Sequence, residues 1–206
     1  MNDQYCEPAR ETVTETKVRK SLFIAHVCIC RDETEARERI RGISSEHRQA
    51  NHNCWAYRVG TLKREEYFSD DGEPAGTAGK PILGAILRQE LTNVLVVVTR
   101  YFGGIKLGVR GLIEAYGKAA SEGITASGKI SLRARTGYEI WMPYDMVKLV
   151  ERLLDTCDTG GDFRSSEYGE YVTVKCAVPL ECSESVEKTF EEWKNSRRIN
   201  GWKKAG

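Results

Sequence analysis

Nowhere in this 206-residue sequence does an apolar run approach the ~20 residues that a membrane-spanning helix needs, and the first 20 residues are polar and charged, without the apolar core of a signal peptide. No membrane partner is expected, and a cytoplasmic location is. An excess of one charge is missing too: 31 basic residues against 30 acidic ones leave a formal charge of +1. Without a global field of the kind that draws proteins onto nucleic acid, any nucleic-acid partner has to be met by a local patch. Internal repeats, low-complexity tracts and coiled-coil heptads are absent. Cysteine is present seven times, but the count is odd, the spacings are irregular, and the close pair is Cys28-Ile29-Cys30. Two residues apart in a strand, these thiols share one face and read as small core hydrophobes rather than as a disulfide or zinc framework.

What is present is enough apolar material, 40% of the residues, for one large domain or two small ones. After a polar N-terminal segment, residues 21–30 read as a strand with apolar residues on both faces. Asp32 with Glu35 starts a helix that runs to about residue 49, with Ala36, Ile40 and Ile43 at helical spacing. Strands over 54–59 and 63–68 follow, joined at Gly60, and then a loop from Asp70 to Pro74. Thr77 is expected to cap a helix to residue 91, and the valine-rich stretch 93–99 is a buried strand. Glycine-rich residues 100–111 lead into a helix over 109–126 and a strand over 129–136.

A composition break at Gly137 places a boundary between domains 1–136 and 137–206. Beyond it, strands over 138–142, 161–168 and 171–179 and helices over 145–157 and 183–195, with a last strand near 199–202, give the β-α-β-β-α order of a split βαβ, ferredoxin-like unit. The helical face of Val147, Leu149, Val150, Leu153 and Leu154 is expected to cover its sheet. The fold class is α+β.

Three segments concentrate chemistry. In Thr99-Arg100-Tyr101-Phe102-Gly103-Gly104-Ile105-Lys106-Leu107-Gly108, glycines allow close backbone approach, a helix N-terminus follows, and Arg100 and Lys106 supply positive charge: an anion site suited to phosphate or carboxylate, unless the glycines serve only a tight connection. Neither G-x-x-x-x-G-K-S/T nor G-x-G-x-x-G occurs there, so neither nucleotide class is supported. Asp70-Asp71-Gly72-Glu73 gathers three carboxylates in four residues but lacks the calcium-loop order. A turn in which these acids bond backbone amides is favoured over a metal, and they can instead pair with Arg100 or Lys106. His52-Asn53-Cys54 brings a histidine and a thiol to one face, yet proximity alone builds no cysteine hydrolase. Asn53 and Tyr57 are expected to present an amide and a phenol to the surface of the acidic loop. Tyr57, Tyr67, Tyr101 and Phe102 interleave with Arg58, Arg64, Arg100 and Lys106, a pattern compatible with base stacking and phosphate contact, or with core packing.

His52 to Arg58, Ser69 to Gly79 and Thr99 to Gly108, in this order and spacing, resemble the signature of the IMPACT/YigZ family, and the resemblance extends over about residues 17–126. It implies an N-terminal domain like domain two of ribosomal protein S-five and domain IV of elongation factor G, followed by a small domain like elongation factor G domain V. Those relatives act on the ribosome, and eukaryotic members regulate the general-control kinase response through protein contacts. The family pattern directs attention to Asn53, Tyr57, Asp70, Asp71, Gly72, Glu73, Pro74, Thr77, Ala78, Gly79, Arg100, Gly103, Gly104, Lys106, Gly108 and Gly111. Two departures stand beside the glycine loop, Arg110 and Glu114; the acid weakens an anion-binding reading unless Arg110 compensates.

The expected ligand-binding set is Asn53, Tyr57, Asp70, Asp71, Glu73, Thr77, Arg100, Gly103, Gly104, Lys106 and Arg110, with no catalytic residue, metal or cofactor. The leading expectation is a non-catalytic, translation-associated regulator that binds RNA or a ribosomal component. Two alternatives stay open. One is an enzyme acting on a phosphorylated or carboxylated small molecule, with Asp70, Asp71 or Glu73 as acid/base. The other is a regulator that works through protein contacts alone.

Overall fold

A computed structural model describes residues 4–157 and 164–205. Its contacts divide the chain into two units, a first of Tyr5–Leu132 and a second that takes Gln4 together with the residues from Arg133 on, so that Gln4 and Arg133, each the end residue of a strand, fall at the division. In chain order the first unit is built from β1 (Gln4–Pro8), β2 (Thr12–Val18), β3 (Ser21–Ile29), α1 (Glu33–Glu46), β4 (His52–Val59), β5 (Glu65–Ser69), α2 (Gly79–Arg88), β6 (Val94–Tyr101), α3 (Gly108–Ser127) and β7 (Lys129–Arg133). Strands β2-β3-β6-β4-β5 form one sheet with every neighbouring pair antiparallel, and β1 pairs with β7 in a separate ladder.

The central strands are apolar on both faces because both faces are covered. Phe23, Ala25 and Val27 of β3, with Val94, Val96 and Val98 of β6, pack under α2 and α3. Cys28, Leu95, Val97 and Tyr57 point the other way, under α1. Cys28 and Cys30 lie buried in that second layer, and burial pushes their thiols up to about 11 and about 12.

Local signals set the first helix as its sequence suggests. Asp32 Oδ1 accepts the Glu35 N–H at 2.9 Å, while Glu35 Oε2 reaches past the cap to the Arg31 N–H at 2.9 Å. The helix ends at Glu46, with His47 as C-cap, short of residue 49. β2 was not readable from sequence. It is an edge strand whose inward positions are Thr12, Thr14 and Thr16 rather than aliphatic residues, so it carries no apolar alternation. Thr12 donates its hydroxyl to the Gly123 carbonyl at 3.2 Å, and Thr16 donates to Glu122.

Two expected elements are corrected. Thr77 does not cap α2: its hydroxyl donates to the Pro74 carbonyl at 2.7 Å, Ala78 occupies the N-cap, and α2 stops at Arg88 rather than at residue 91. The strands expected over 129–136 and 138–142 divide at Ala134 instead, and Gly137 lies inside the second of them.

The second unit runs β8 (Arg135–Met142), a single 3-10 turn (Tyr144–Met146), α4 (Val147–Thr156), β9 (Arg164–Tyr168), β10 (Val172–Pro179), α5 (Leu180–Asn195) and β11 (Gly201–Ala205). The first residues of the strand expected over 161–168 lie outside the described residues. Its sheet order is β11-β8-β10-β9, with all neighbours antiparallel. This chain order and spatial order are those of a split βαβ unit. Val150 and Leu154 of α4 and Val186 and Phe190 of α5 meet Tyr138, Ile140 and Val174 in its core. Leu149, expected on the covered face of α4, is 38% exposed instead. Among the described residues no helix is long and apolar enough to cross a membrane.

Candidate ligand cleft

The acidic loop between β5 and α2 is folded by its own carboxylates. Asp70 Oδ2 accepts the Gly76 N–H at 2.8 Å, and Oδ1 accepts those of Ala78 at 3.0 Å and Gly79 at 2.8 Å, so Asp70 serves the open N-terminus of α2 from nine residues upstream. Burial opposes its charge, but these three backbone donors outweigh burial and hold the carboxyl below the ordinary aspartate value. Asp71, with a positive φ of 41°, turns its Oδ2 to the Asn53 N–H at 2.6 Å. Its carbonyl sits 2.7 Å from His52 Nδ1. A carbonyl only accepts, so His52 carries its proton on Nδ1 and leaves Nε2 as an acceptor when neutral.

The third acid enters the interior. Glu73 and Arg100 are 8% and 6% exposed, and Glu73 Oε1 takes both Arg100 Nη1 at 2.5 Å and the Tyr116 hydroxyl at 2.9 Å. His52 Nε2 lies 3.9 Å from the same oxygen. The register of β4 on β6 sets His52 opposite Arg100, which explains why the two meet. The guanidinium also lies 5.6 Å from the Phe23 ring centre and 5.4 Å from that of Phe102. Burial drives the Tyr116 phenol far above its usual range. Burial likewise pushes the Cys54 thiol up to about 12, with the loop carboxylates adding to the effect. Cys54 donates to the Asp70 carbonyl at 3.0 Å and is fully buried, which withholds its thiol from nucleophilic chemistry.

The glycine-rich loop forms the opposite wall. Gly103 lies against the β2–β3 turn so closely that a Cβ would stand 1.8 Å from the Lys20 carbonyl oxygen. Gly104, at φ +84°, then turns the chain through the left-handed region that favours glycine. Asn51 ties this wall to β4: its side chain accepts the Phe102 N–H at 2.8 Å, and its own N–H donates to the Arg100 carbonyl at 2.9 Å. Because the β2–β3 turn is held there, Arg19 donates to the Lys106 carbonyl at 3.4 Å, so Arg19 and Lys20 belong to a turn that touches the loop carrying Lys106. Between the walls lies a cleft of about 460 Å³ with Glu73, Arg100 and His52 on one side and Phe102, Lys106 and Val109 on the other. Phe102 is 44% exposed.

The residues singled out from sequence separate accordingly. Glu73, Arg100 and Lys106 come together at the cleft, and Gly103 and Gly104 shape its wall. Asp70, Asp71 and Thr77 spend their side chains on the loop's own backbone, the turn reading rather than an acid/base reading. Asn53 faces away from the cleft, where its Oδ1 accepts the Thr99 hydroxyl at 2.7 Å. Tyr57 is corrected outright: strand alternation sends it to the α1 side, fully buried and stacked on Trp55 with ring centres 5.6 Å apart. Arg110 is corrected too. It pairs with Glu114 at 2.9 Å on the solvent side of α3, so the two departures neutralise each other and neither lines the cleft. Sequence reasoning missed His52 and Tyr116 as partners of Glu73. His52 needed the β4–β6 register, and Tyr116 hides in the apolar stripe of α3.

Residues 19–124 match the family described as the Impact N-terminal domain. The chain is 47% identical over 116 residues to the Bacillus subtilis IMPACT family member YvyE, a match covering 56% of this chain and about half, 54%, of that relative. It is 33% identical over 174 residues to the Escherichia coli IMPACT family member YigZ, covering 84% of each. A crystal structure described as that of a hypothetical protein superposes over 100% of this chain and 98% of its own, with a TM-score of 0.69 and 28% identity.

Proposed function

Because this chain belongs to the IMPACT family, we propose that it is a non-catalytic, translation-associated protein whose first unit holds RNA at the rim of the cleft. The observation that carries the reading is the rim itself. The contact of Gly103 with Lys20 and the bond from Arg19 to the Lys106 carbonyl put three basic residues on two touching loops, Lys106 lining the cleft itself, beside an exposed Phe102 and the start of α3. Such a rim offers cations to phosphates and an aromatic face to a base, the local patch that a chain of nearly zero net charge requires. Arg100, by contrast, is spent on Glu73 and organises the floor. The finer resemblance, of the first unit to ribosomal protein S-five domain two and elongation factor G domain IV and of the second to elongation factor G domain V, fits the same reading. On it, the second unit supplies a further contact.

The test is retention of the full chain on ribosomes and on total RNA across a salt series. Saturable binding is expected, with log affinity falling linearly in log salt. Lys106→Ala and Arg19→Ala are each expected to flatten the slope by ~0.7 to 0.9, one phosphate contact. Phe102→Ala is expected to cost ~1–3 kcal/mol without changing the slope. Absence of binding at low salt, or binding indifferent to all three substitutions, overturns the proposal.

A further inference from the structure

A pair of histidines lies on the face of the first unit's sheet opposite the cleft. His26 of β3 and His47, the C-cap of α1, approach with Nε2 atoms 3.1 Å apart, and the other ring nitrogen of His47 sits 2.9 Å from the Tyr101 hydroxyl at the end of β6. Both imidazoles are half-buried, so water reaches them. Two nitrogens bound at ~2.0–2.1 Å to one tetrahedral ion stand roughly 3.3 Å apart, close to the spacing already present. From this convergence we propose that His26 and His47 form a binding site for a divalent transition-metal ion of the zinc type.

Three further features suit a cation there. His47 closes α1, where the exposed carbonyl end of the helix dipole is negative, and the last turn of α1 carries no basic residue. The Tyr101 hydroxyl is placed as the outer partner that a ligating histidine commonly has, fixing which nitrogen points to the metal. Glu46, the last residue of α1, adds an acid directly before His47. Imidazole nitrogens suit zinc, copper and nickel better than the hard cations that prefer oxygen. No group of three or more such ligand side chains gathers among the described residues, so water completes the shell and the ion is exchangeable rather than structural. The sequence carries no sign of the pair, because its members are 21 residues apart and meet only through the packing of α1 on the sheet.

The experiment is calorimetric titration of the full chain with zinc chloride alone, with imidazole nitrogen NMR on the wild type as a second reading. One ion per chain is expected, with shifts at the His26 and His47 nitrogens. Binding is expected to vanish in His26→Gln and in His47→Gln, and Tyr101→Phe is expected to weaken it by about 10–100-fold. Cobalt in place of zinc should give a spectrum without a thiolate charge-transfer band, which separates this site from the seven cysteines. Failure to bind, a thiolate band, or binding that leaves both histidines unshifted overturns the proposal. Because the pair faces away from the cleft, loss of RNA binding and loss of metal binding are separate outcomes.

Discussion

Replacing Asp70 by alanine removes a single side chain that closes the acidic loop and the N-terminus of α2 together, through the N–H groups of Gly76, Ala78 and Gly79. A hydrogen bond to a charged group contributes ~1.5–3 kcal/mol, and a lost helix cap costs ~0.5–2 kcal/mol. The three bonds share one carboxylate that still touches solvent, and water can take over part of their work, so the total falls below their sum, at ~3 kcal/mol. For a chain of this size the corresponding fall in Tm is about 6–12 °C. The pH dependence follows from the direction of the shift. Burial disfavours the charged form, but the backbone donors prevail and the folded-state pKa lies below the ordinary value of 3.8. A carboxylate depressed in this way contributes its stability in full above the unfolded pKa and loses it as pH falls through the folded one. Urea unfolding of wild type and Asp70→Ala should therefore differ by a constant amount between about pH 5 and 7, and the gap should close below about pH 3.8. Asp70→Asn, which keeps a neutral acceptor oxygen, should fall between the two and lack that closure. A gap under ~0.5 kcal/mol at neutral pH, or one that persists unchanged in acid, refutes the assignment of Asp70 as the loop's organiser.

Gly103→Ala should destabilise the chain by more than ~3 kcal/mol in thermal melts, because the added carbon meets backbone at Lys20, whereas Gly104→Ala, with open space around it, should cost only ~1 kcal/mol for its positive φ. Equal effects of the two would contradict the close approach at Gly103. Glu73→Gln should cost ~3–5 kcal/mol by leaving a buried guanidinium without its counter-charge, and Tyr116→Phe only ~1 kcal/mol, as read by urea unfolding. In native protein at mildly alkaline pH, mass spectrometry after alkylation should find Cys54 unmodified while the partly exposed Cys6 reacts, since burial holds the Cys54 thiol near a pKa of about 12.

The elements legible in the sequence are those whose burial leaves a period. The valines of β6 lie between two covered faces and read as a continuous apolar strand, and Asp32 with Glu35 marks the start of α1 within four residues. β2 escaped because threonine supplies its inward face and makes hydrogen bonds where an aliphatic residue would make contacts. At the cleft, local composition identified Glu73, Arg100 and Lys106, but it could not assign sides. Asn53, Trp55 and Tyr57 alternate with His52, Cys54 and Ala56, and which set faces α2 and α3 depends on pairings formed with β6 some 40 residues later. Tyr57 was placed on the wrong face for that reason, and His52, weighed only beside Cys54, was not seen as a partner of Glu73 for the same one. Arg110 drew attention through its charge, which Glu114 cancels one helical turn away.

The ladder between β1 and β7 has a consequence for synthesis of the chain. During translation the first strand leaves the ribosome long before Lys129–Arg133, and until those residues emerge its edge toward β7 has no ladder partner. The Cys6 carbonyl and the Ala9 amide wait likewise for Thr92 and Gly128. Contacts this distant in sequence make assembly slow, and they postpone completion of the first unit until nearly two thirds of the 206 residues exist. The exposed strand is short and carries Glu7 and Pro8, both of which discourage edge-to-edge pairing with other nascent chains in the interval.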